Sequence, residues 1–371
     1  MKKIGTLTFH RAKNFGSVLQ AYALQRFLEQ VADANGVQID NRIIDITPRA
    51  QEQIYALYKK GMHPKTLVKN AVAFRYRRAL RKKIEKYDRF IAQRLPLTAP
   101  CNEEELPQVA DGMDYVLCGS DQIWNVRAGD FEPWFYLDFP TKAKKVSYAT
   151  SFGPLDIDWD KYDRQKVGDC LADFSEISVR EQASADQVKA LCGRDAHIDV
   201  DPTLLLTLDD WRAVQSDASY KDGRYILLYC MEPTPAQLDM AKRISKKLNL
   251  PILVTKYNNK HDMLNRFFKR YDCGPEDFLS LIDHAALVLT SSFHGTVFSA
   301  IYQKPFYVLD GRGDRRISHF LQNTGLISQD LQTDQGLDGI SLAPPDFTGA
   351  QQYLQKARKQ AEEYLCDALE F

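Results

Sequence analysis

The 371-residue chain has no long apolar run, no closely paired cysteines and no net charge. Because no stretch approaches the roughly 18 consecutive apolar residues of a spanning helix, we expect no membrane-spanning segment. The apolar N-terminal stretch is short and is interrupted by His10 and Arg11, so we do not expect a signal peptide. Seven cysteines are scattered without a C-x-x-C pair, which indicates reduced thiols and predicts a cytoplasmic protein.

Common catalytic signatures are missing as well. The sequence contains no Walker motif, no H-E-x-x-H and no G-x-S-x-G. It also has no cluster of His, Cys and Asp at metal-ligand spacing. These absences favour a reaction that needs no metal ion.

The charge that the chain does carry is unevenly distributed. Residues 65–94 contain eleven Lys and Arg against Glu85 and Asp88, so this segment has a charge of +9 and the remainder −9. Apolar residues recur within it at helical spacing, so one face packs on the protein. We interpret it as a helical insertion whose basic face is either solvated or binds anionic lipid or a polyanionic acceptor. Nucleic acid is not an expected partner, because no nucleic-acid-binding module accompanies the charge.

Strand-like and helix-like segments alternate along the chain in two cycles. The strand KIGTLTF, the helix VLQAYALQRFLEQVA and the strand VQIDNRIIDIT form a β-α-β unit that begins a parallel sheet. After Pro202 the strands RYILLYCM, PILVTK, ALVLT and PFYVLD are separated by helices. We predict two Rossmann-like α/β domains, residues 1–200 and 201–345, facing a central cleft, and a final helix over 346–371 that packs back on the first domain. Ligands of such sheets bind beyond the carboxyl ends of the strands, so the strand-to-helix turns hold the candidate residues.

The first such turn contains Asn14, Gly16 and Ser17. The exposed N–H groups at the start of a helix can hold an anion or a sugar hydroxyl, which makes these residues candidates for binding a sugar. The alternative is structural, since glycine supplies backbone freedom and serine caps a helix. Residue chemistry alone leaves both interpretations open.

A second turn, residues 119–125, holds an acid, an amide and an indole, which is more than helix capping needs. Asp121 could remove a proton from a hydroxyl of an acceptor. Trp124 could stack on a sugar face, or it could be a buried aromatic side chain. Asn125 is a further candidate for contact with an acceptor.

Arg180 follows the apolar strand residues ISV. Its guanidinium could bind a carboxylate or a phosphate in a fork geometry. The alternative is a salt bridge to a neighbour such as Glu181 or Asp201.

The segment LTSSFHGTVF places His294 where a strand ends and a helix begins. The positive end of a helix favours an anion, and histidine can donate a hydrogen bond or transfer a proton near neutral pH. This position favours a functional histidine over a structural one. Lys304, ten residues on, either reaches a phosphate or complements a helix C-terminus. The residues that could hold an anion with His294 are Ser291, Ser292, Gly295 and Thr296.

Five segments in order resemble the polysaccharide pyruvyl transferase family from about residue 4 to residue 325: LTFHRAKNFGSVLQAYALQ, VLCGSDQIWN, ISVRE, DPTLLL and LTSSFHGTVFSAIYQKPF. The resemblance implies two Rossmann-like domains arranged as in the GT-B glycosyltransferases. It also implies phosphoenolpyruvate as donor and co-substrate, without another cofactor, and a sugar as acceptor. A lipid-linked acceptor on polyprenyl diphosphate, with galactose as one candidate sugar, would bring the basic segment 65–94 to the inner face of the cell membrane.

The implied product is a cyclic pyruvate ketal that bridges two hydroxyls of one sugar in exopolysaccharide biosynthesis. Protonation of the donor's methylene carbon creates a cation at C2, a sugar hydroxyl attacks it, phosphate leaves, and a second hydroxyl closes the ring. His294 matches the histidine of the family's later motif, which implies a proton donor or a phosphate ligand. In the same scheme Arg180 binds the donor's carboxylate or phosphate, and Asp121 lies near the acceptor.

The chain departs from the family at one position. Better-known members carry an arginine two residues before that histidine, where this chain has Ser292. The candidates to supply the missing cation are Lys256, Lys304, Arg312 and Arg316. Two other functions stay open, a GT-B glycosyltransferase that uses a nucleotide sugar and a non-catalytic member of the family.

Overall fold

The computed structural model describes residues 1–153, 155–217, 223–255 and 267–371. The chain forms two compact units. Unit 1 comprises Met1–Ala56, Ile91–Leu206 and Lys356–Phe371. Unit 2 comprises Leu57–Phe90 and Thr207–Gln355.

Strands and helices alternate through both units. The strands are β1 (Lys2–Leu7), β2 (Ile39–Ile43), β3 (Tyr115–Asp121), β4 (Lys144–Thr150), β5 (Ser178–Val179), β6 (His197–Ile198), β7 (Ile226–Tyr229), β8 (Ile252–Val254), β9 (Phe268–Lys269), β10 (Leu287–Thr290), β11 (Phe306–Leu309) and β12 (Asp330–Leu331). The α-helices are α1 (Phe15–Ala34), α2 (Arg49–Tyr55), α3 (Pro64–Arg75), α4 (Arg77–Arg94), α5 (Leu106–Asp111), α6 (Arg164–Ala172), α7 (Gln182–Cys192), α8 (Leu208–Arg212), α9 (Pro235–Leu248), α10 (Pro275–Asp283), α11 (Phe293–Ile301), α12 (Arg315–Asn323) and α13 (Thr348–Leu369).

The sheet of unit 1 contains six parallel strands in the order β2-β1-β3-β4-β5-β6. All seven residues of β3 are buried, as expected for a central strand covered on both faces. The order reverses between β1 and β3, because the chain passes from β1 outward to β2 and returns on the other side of β1. A ligand of such a sheet binds beyond the carboxyl ends of the strands at this switch point.

The sheet of unit 2 also has six parallel strands, in the order β12-β11-β10-β7-β8-β9. This is the strand order of dinucleotide-binding Rossmann domains, and its switch point lies between β7 and β10. The last residues of these two strands, Tyr229 and Thr290, are paired in register. Two parallel sheets with flanking helices confirm the predicted class of two Rossmann-like α/β domains.

Helices α1 and α11 directly follow the strands at the two switch points. In α1 the apolar residues Val18, Leu19, Ala23 and Phe27 are buried, as their helical spacing predicts. Helix α11 is buried along almost its whole length, so its sequence is apolar on every side. The N-terminal end of each helix, with its unsatisfied N–H groups, therefore lies at a carboxyl edge of a sheet.

The boundaries of the two units differ from the predicted domains. The basic segment 65–94, predicted as an insertion in the first domain, belongs to unit 2 as far as Phe90, and the later boundary lies after Leu206. The end of α13 belongs to unit 1, where Tyr364 Oη donates to the Ser147 carbonyl at 2.7 Å. Arg358 donates to the carbonyls of Leu205 and Leu206, each at 2.9 Å. Unit 1 is thus completed by the last residues of the chain.

Across the part of the chain that the structure describes, no helix combines the length and the apolar character needed to cross a membrane.

Candidate functional site

Two of the residues predicted in the first two turns, Ser17 and Asp121, meet at the switch point of unit 1. Asn14 is the N-cap of α1, and its Oδ1 accepts the Gly16 N–H at 2.9 Å. Ser17, in the first turn of the helix, points toward β3, because its Oγ donates to Asp121 Oδ2 at 2.8 Å. Asn14 therefore caps the helix, and Ser17 joins α1 to the end of β3.

Asp121 ends β3 in an uncommon backbone conformation. Its φ is 80°, in the left-handed region that residues other than glycine seldom adopt. Oδ2 accepts the Ser17 hydroxyl, and Oδ1 accepts the Gln122 N–H at 2.8 Å. Since each carboxylate oxygen has two lone pairs, each can still accept one further donor. The carboxylate is therefore held in place and remains able to accept a proton from a hydroxyl.

Arg180 reaches the same carboxylate from the end of β5. Its Nη1 lies 3.9 Å from Asp121 Oδ1, and its Nη2 lies 2.9 Å from Asp201 Oδ2 and 2.7 Å from Ser120 Oγ. The side chains of Arg180 and Asp201 are only 3% and 0% exposed. The salt bridge to Asp201, one of the two interpretations of Arg180, is thus present. We call Ser17, Ser120, Asp121, Arg180 and Asp201 the Asp121 cluster.

Gln20 holds this cluster together but was not identified from the sequence. Its Nε2 donates to Thr8 Oγ1 at 2.8 Å and to the Ser17 carbonyl at 2.9 Å. Its Oε1 accepts the Ser120 N–H at 3.3 Å. The sequence signal for Gln20 was a polar side chain at helical spacing from the apolar residues Ala23, Leu24 and Phe27.

Tyr55, at the end of α2, is a second neighbour of Asp121 that sequence reasoning missed. Burial, together with the nearby carboxylates of Asp130 and Asp121, raises the pKa of Tyr55 well above its ordinary value. The phenol is therefore neutral near pH 7 and can donate or accept a hydrogen bond. Gln51 on the same helix donates to Asp130 Oδ2 at 3.1 Å and anchors α2 beside the cluster. No sequence pattern separates Tyr55 from the other tyrosines of the chain.

A second charged group lies beyond the carboxyl ends of β1 and β2. His10 Nε2 is 3.0 Å from Asp45 Oδ1, and Arg11 donates to both oxygens of Asp45 at 2.6 and 2.5 Å. Burial would raise the pKa of Asp45, but hydrogen bonds from Arg11 and His10 hold it well below its usual range. The carboxylate is therefore ionised, and it fixes the orientation of the adjacent imidazole and guanidinium.

The structure corrects the prediction that Trp124 stacks on a sugar. Its side chain is fully buried, its Nε1 donates to the Phe135 carbonyl at 3.0 Å, and its ring stacks on Tyr136 with centroids 5.6 Å apart. The buried-aromatic interpretation therefore holds. Asn125 is half-buried, and its side chain serves the local turn by accepting the Arg127 N–H at 3.1 Å.

His294 lies at the switch point of unit 2, as the second residue of α11. The first intrahelical hydrogen bond runs from the Thr296 N–H to the Ser292 carbonyl at 3.0 Å. The N–H groups of residues 293–295 precede it and point out of the positive end of the helix. The His294 side chain is half-buried beside Phe293, whose ring centroid is 5.5 Å away. We call residues 291–296 the His294 turn.

Gly295 allows α11 to approach β10 closely. A Cβ at this position would lie 2.2 Å from Thr290 Oγ1, which is far inside contact distance. Thr290 Oγ1 donates to the Tyr229 carbonyl at 2.6 Å and accepts the Ser292 N–H at 3.0 Å. One threonine thus joins the two strands at the switch point and sets the start of the His294 turn.

The hydroxyls of the His294 turn differ in role. Thr296 is fully buried and donates to the Ser292 carbonyl at 3.0 Å, so it supports the turn and is not positioned to donate to a ligand, contrary to its prediction. Ser291 contacts Cys230 at the end of β7, where burial raises the pKa of the thiol to about 11 and hydrogen bonding with Ser291 opposes that rise. The Ser292 side chain makes no capping bond to the helix.

Lys304 does not lie with His294, which corrects its assignment to the donor site. It precedes β11, whereas His294 follows β10, and these parallel strands place the two residues at opposite edges of the sheet. Its Nζ donates to the Asp283 carbonyl at the end of α10, at 2.7 Å. Burial lowers the pKa of Lys304, and Asp283 opposes that shift. The lysine complements a helix C-terminus, which was the other interpretation.

The remaining candidates for the missing cation differ in whether they contact the His294 turn. Lys256 lies outside the described residues. Arg312 is 71% exposed, and its Nε is 3.5 Å from Asp330 Oδ2. Arg316 is 16% exposed, is paired with Asp314 at 2.7 Å, and lies over the Phe293 ring at 5.6 Å. Arg316 is therefore the described candidate that contacts the His294 turn.

Among the residues with a described placement, no group of three or more His, Cys, Asp or Glu side chains could hold a metal ion.

Comparison with known proteins identifies a family and a fold. A family model described as polysaccharide pyruvyl transferase matches residues 14–312. The comparison with curated proteins gives no match. Among solved structures, a UDP-GlcNAc 2-epimerase from Neisseria meningitidis bound to UDP-GlcNAc is 11% identical, with a TM-score of 0.50 over 100% of this chain and 99% of that chain. The S. aureus MnaA–UDP structure is 12% identical, with a TM-score of 0.50 over 98% and 91%. These likenesses concern the fold alone and confirm the predicted GT-B-like class.

Proposed function

The chain belongs to the polysaccharide pyruvyl transferase family, and on this premise we propose that it transfers pyruvate from phosphoenolpyruvate to a sugar. The product is a cyclic ketal that bridges two hydroxyls of one sugar during exopolysaccharide synthesis. The acceptor, with galactose as the first candidate, is carried on polyprenyl diphosphate at the cytoplasmic face of the cell membrane. The transfer uses no metal ion and no cofactor besides the donor.

The observation that carries the proposal is the position of His294 at the switch point of the unit 2 sheet. Phosphoenolpyruvate brings a phosphate and a carboxylate, so its site needs cations and N–H donors. The His294 turn offers the N–H groups of the first turn of α11, an imidazole and the Ser292 hydroxyl. Arg316, over the neighbouring Phe293 ring, supplies the guanidinium in place of the family's arginine.

The reaction balances with two protons from the sugar and one proton on carbon. The methylene carbon of the donor gains a proton, and the first sugar oxygen forms a bond to C2 as its own proton leaves. The C2–O bond to phosphate then breaks, and the second sugar oxygen closes the ring. One hydroxyl proton replaces the proton given to the methylene carbon, and the other leaves with phosphate. The reaction therefore needs an acid near the donor and a base near the acceptor.

Asp121 suits the role of that base. Its carboxylate is fixed by Ser17 and Gln122, and each oxygen keeps one lone pair for an acceptor hydroxyl. Arg180, 3.9 Å away, holds the carboxylate in orientation and is itself fixed by Asp201. In this proposal Arg180 acts through Asp121 as a positioning residue and does not bind the donor.

The test is mass spectrometry of a polyprenyl-linked galactoside incubated with phosphoenolpyruvate in the presence of a chelator. We expect the ketal with wild-type protein and with His319→Ala, which changes an exposed histidine of α12. We expect none with His294→Ala. His294→Gln keeps a hydrogen-bond donor but transfers no proton, so activity in that variant would assign a phosphate ligand and its absence a proton donor.

Three outcomes would overturn the proposal. The first is the absence of product and of phosphate release with wild-type protein. The second is full activity of His294→Ala. The third is a melting temperature that rises with uridine diphosphate and not with phosphoenolpyruvate, which would identify a nucleotide-sugar enzyme, because a ligand that binds only the folded state stabilises it.

A further inference from the structure

Helix α3 exposes an apolar stripe to solvent. Leu67, Val68 and Phe74 are 53%, 52% and 57% exposed, and Ala71 lies between them on the same face. Their spacing of three and four residues places Leu67, Ala71 and Phe74 in one line along the helix. Single exposed apolar residues are ordinary on protein surfaces, but a continuous stripe on one helix indicates a surface that binds something.

The face of α3 beside this stripe packs on other residues of unit 2. Ala73 is 5% exposed, and Asn70 exchanges two hydrogen bonds with the backbone of Lys59, at 2.8 and 2.9 Å. The orientation of the helix is therefore set by its own inward contacts. The apolar stripe lies beside this inward face and remains exposed.

The sequence that contains the stripe carries charge of one sign. From residue 53 to residue 84 the sequence contains ten Lys and Arg and no Asp or Glu. Arg75 and Arg78 are exposed, and the Arg77 guanidinium lies 4.1 Å above the Phe74 ring. An apolar helix face bordered by cations is the pattern of a helix that lies in the interface of an anionic membrane.

Helix α4 carries more of the basic residues but serves a different purpose. Its Lys86 Nζ is 2.5 Å from Asp277 Oδ2, and its Lys82 Nζ is 3.9 Å from Asp272 Oδ2. Leu80 of α4 packs against the apolar core of unit 2. These contacts fasten α4 to the rest of unit 2, so the exposed apolar surface of the basic segment lies on α3.

We propose that α3 docks unit 2 on an anionic phospholipid surface, with Leu67 and Phe74 inserted and Arg75 and Arg78 at the headgroups. The choice of lipid as occupant rests on the proposed function, which places the acceptor on a membrane carrier, and on the charge of one sign. The proposal names the element that contacts the lipid and the side chains that enter it.

The test uses the full chain and vesicles of phosphatidylglycerol with phosphatidylcholine. Leu67→Ser with Phe74→Ser should lower the bound fraction at both low and high salt. Arg75→Gln with Arg78→Gln should lower the partition coefficient roughly 10- to 30-fold at low salt and little at high salt, since each cation near the surface contributes about 1 kcal/mol. Phe268→Ser, at an equally exposed apolar position, and Lys242→Gln with Lys359→Gln, on other helices, should bind as wild type does.

A direct readout does not depend on loss of binding. In Phe74→Trp the new indole should shift to shorter emission wavelengths with anionic vesicles and be quenched by a lipid-phase quencher. Transfer to a water-soluble galactoside should be unchanged in the Leu67→Ser, Phe74→Ser and the Arg75→Gln, Arg78→Gln variants, which separates failure of docking from failure of the proposed reaction. Equal vesicle binding by the Leu67→Ser, Phe74→Ser variant would overturn the proposal. So would a wild-type dimer that this variant abolishes, because a second copy would then be the occupant.

Discussion

Removing the charge of Asp201 is the sharpest test of how the Asp121 cluster is held. In Asp201→Asn the side-chain oxygen can still accept the Thr203 N–H, which Asp201 Oδ1 now accepts at 2.9 Å, so the local cap survives. What disappears is the carboxylate that faces Arg180. The substitution therefore removes the negative charge of residue 201 and keeps the shape of its side chain.

The geometry sets the size of the effect. At 2.9 Å two unit charges attract by about 6 kcal/mol at an effective dielectric constant near 20 and by about 1.4 kcal/mol in water. Breaking a buried pair costs about 3–5 kcal/mol, because the remaining charge stays buried without its partner. Asp121, 3.9 Å from the guanidinium, compensates in part, so we expect the lower end, about 3 kcal/mol. For a unit of roughly 190 residues this lowers the melting temperature by about 6–12 °C.

The assay is thermal and denaturant unfolding of wild type, Asp201→Asn and a matched control. Asp195 pairs with Lys189 at the same 2.9 Å, but its side chain is 92% exposed, so Asp195→Asn should cost about 0–1 kcal/mol. Adding Arg180→Met to Asp201→Asn should recover part of the loss, because the buried guanidinium is then gone and Asp121 keeps its hydrogen bonds from Ser17 and Gln122. The reasoning would be refuted if Asp201→Asn and Asp195→Asn lost the same free energy of unfolding. It would also be refuted if the double variant recovered no stability.

Three further substitutions in the two units have predictable effects on substrate binding or stability. Arg316→Gln should raise the KM for phosphoenolpyruvate about tenfold or more, since hydrogen bonds to charged groups contribute about 1.5–3 kcal/mol, and phosphate-release kinetics with an unchanged KM would contradict this. Burial raises the pKa of Asp199 to about 6, so the stability it contributes is complete below about pH 4 and is lost as the pH rises through 6. Asp199→Asn should flatten that part of the curve of unfolding free energy against pH, and an identical slope in both proteins would be the opposite result. Gly295→Ala brings a Cβ to 2.2 Å from Thr290 Oγ1 and should destabilise unit 2 by about 1–3 kcal/mol, whereas Gly313→Ala meets nothing within 4 Å and should leave denaturation midpoints unchanged.

The sequence was sufficient to predict the class of both sheets and the positions of the turns that follow their strands. Alternating strand and helix patterns predict parallel sheets, and parallel strands bring their carboxyl ends to one edge. Residues that follow strands, such as Ser17, Asp121 and His294, could therefore be identified before their contacts were known. The hydrogen bond from Ser17 to Asp121 needed the structure, because the two residues are 104 positions apart.

The predictions that failed depend on how deeply a side chain is buried and on the edge of the sheet at which it lies. Trp124 lies in a turn rich in polar residues, yet its indole fills the core, because side-chain direction within a turn is not written in the local pattern. Lys304 is close to His294 in sequence but is carried by α11 to the other edge of the sheet. Gln20 was missed because its partner Ser120 is 100 positions away, and Tyr55 because the carboxylates that influence its pKa, Asp130 and Asp121, are also distant in sequence.

The route of the chain has a consequence for biosynthesis. Domains generally finish folding in the order of translation, the N-terminal one first. Here a ribosome that has translated up to Gln355 has produced all of unit 2, while unit 1 still waits for Lys356–Phe371. Translation of unit 1 thus begins before that of unit 2 but is completed after it. A premature stop codon just before Lys356 would therefore leave unit 2 complete. Unit 1 would lack its last segment and would be the target of cellular proteases.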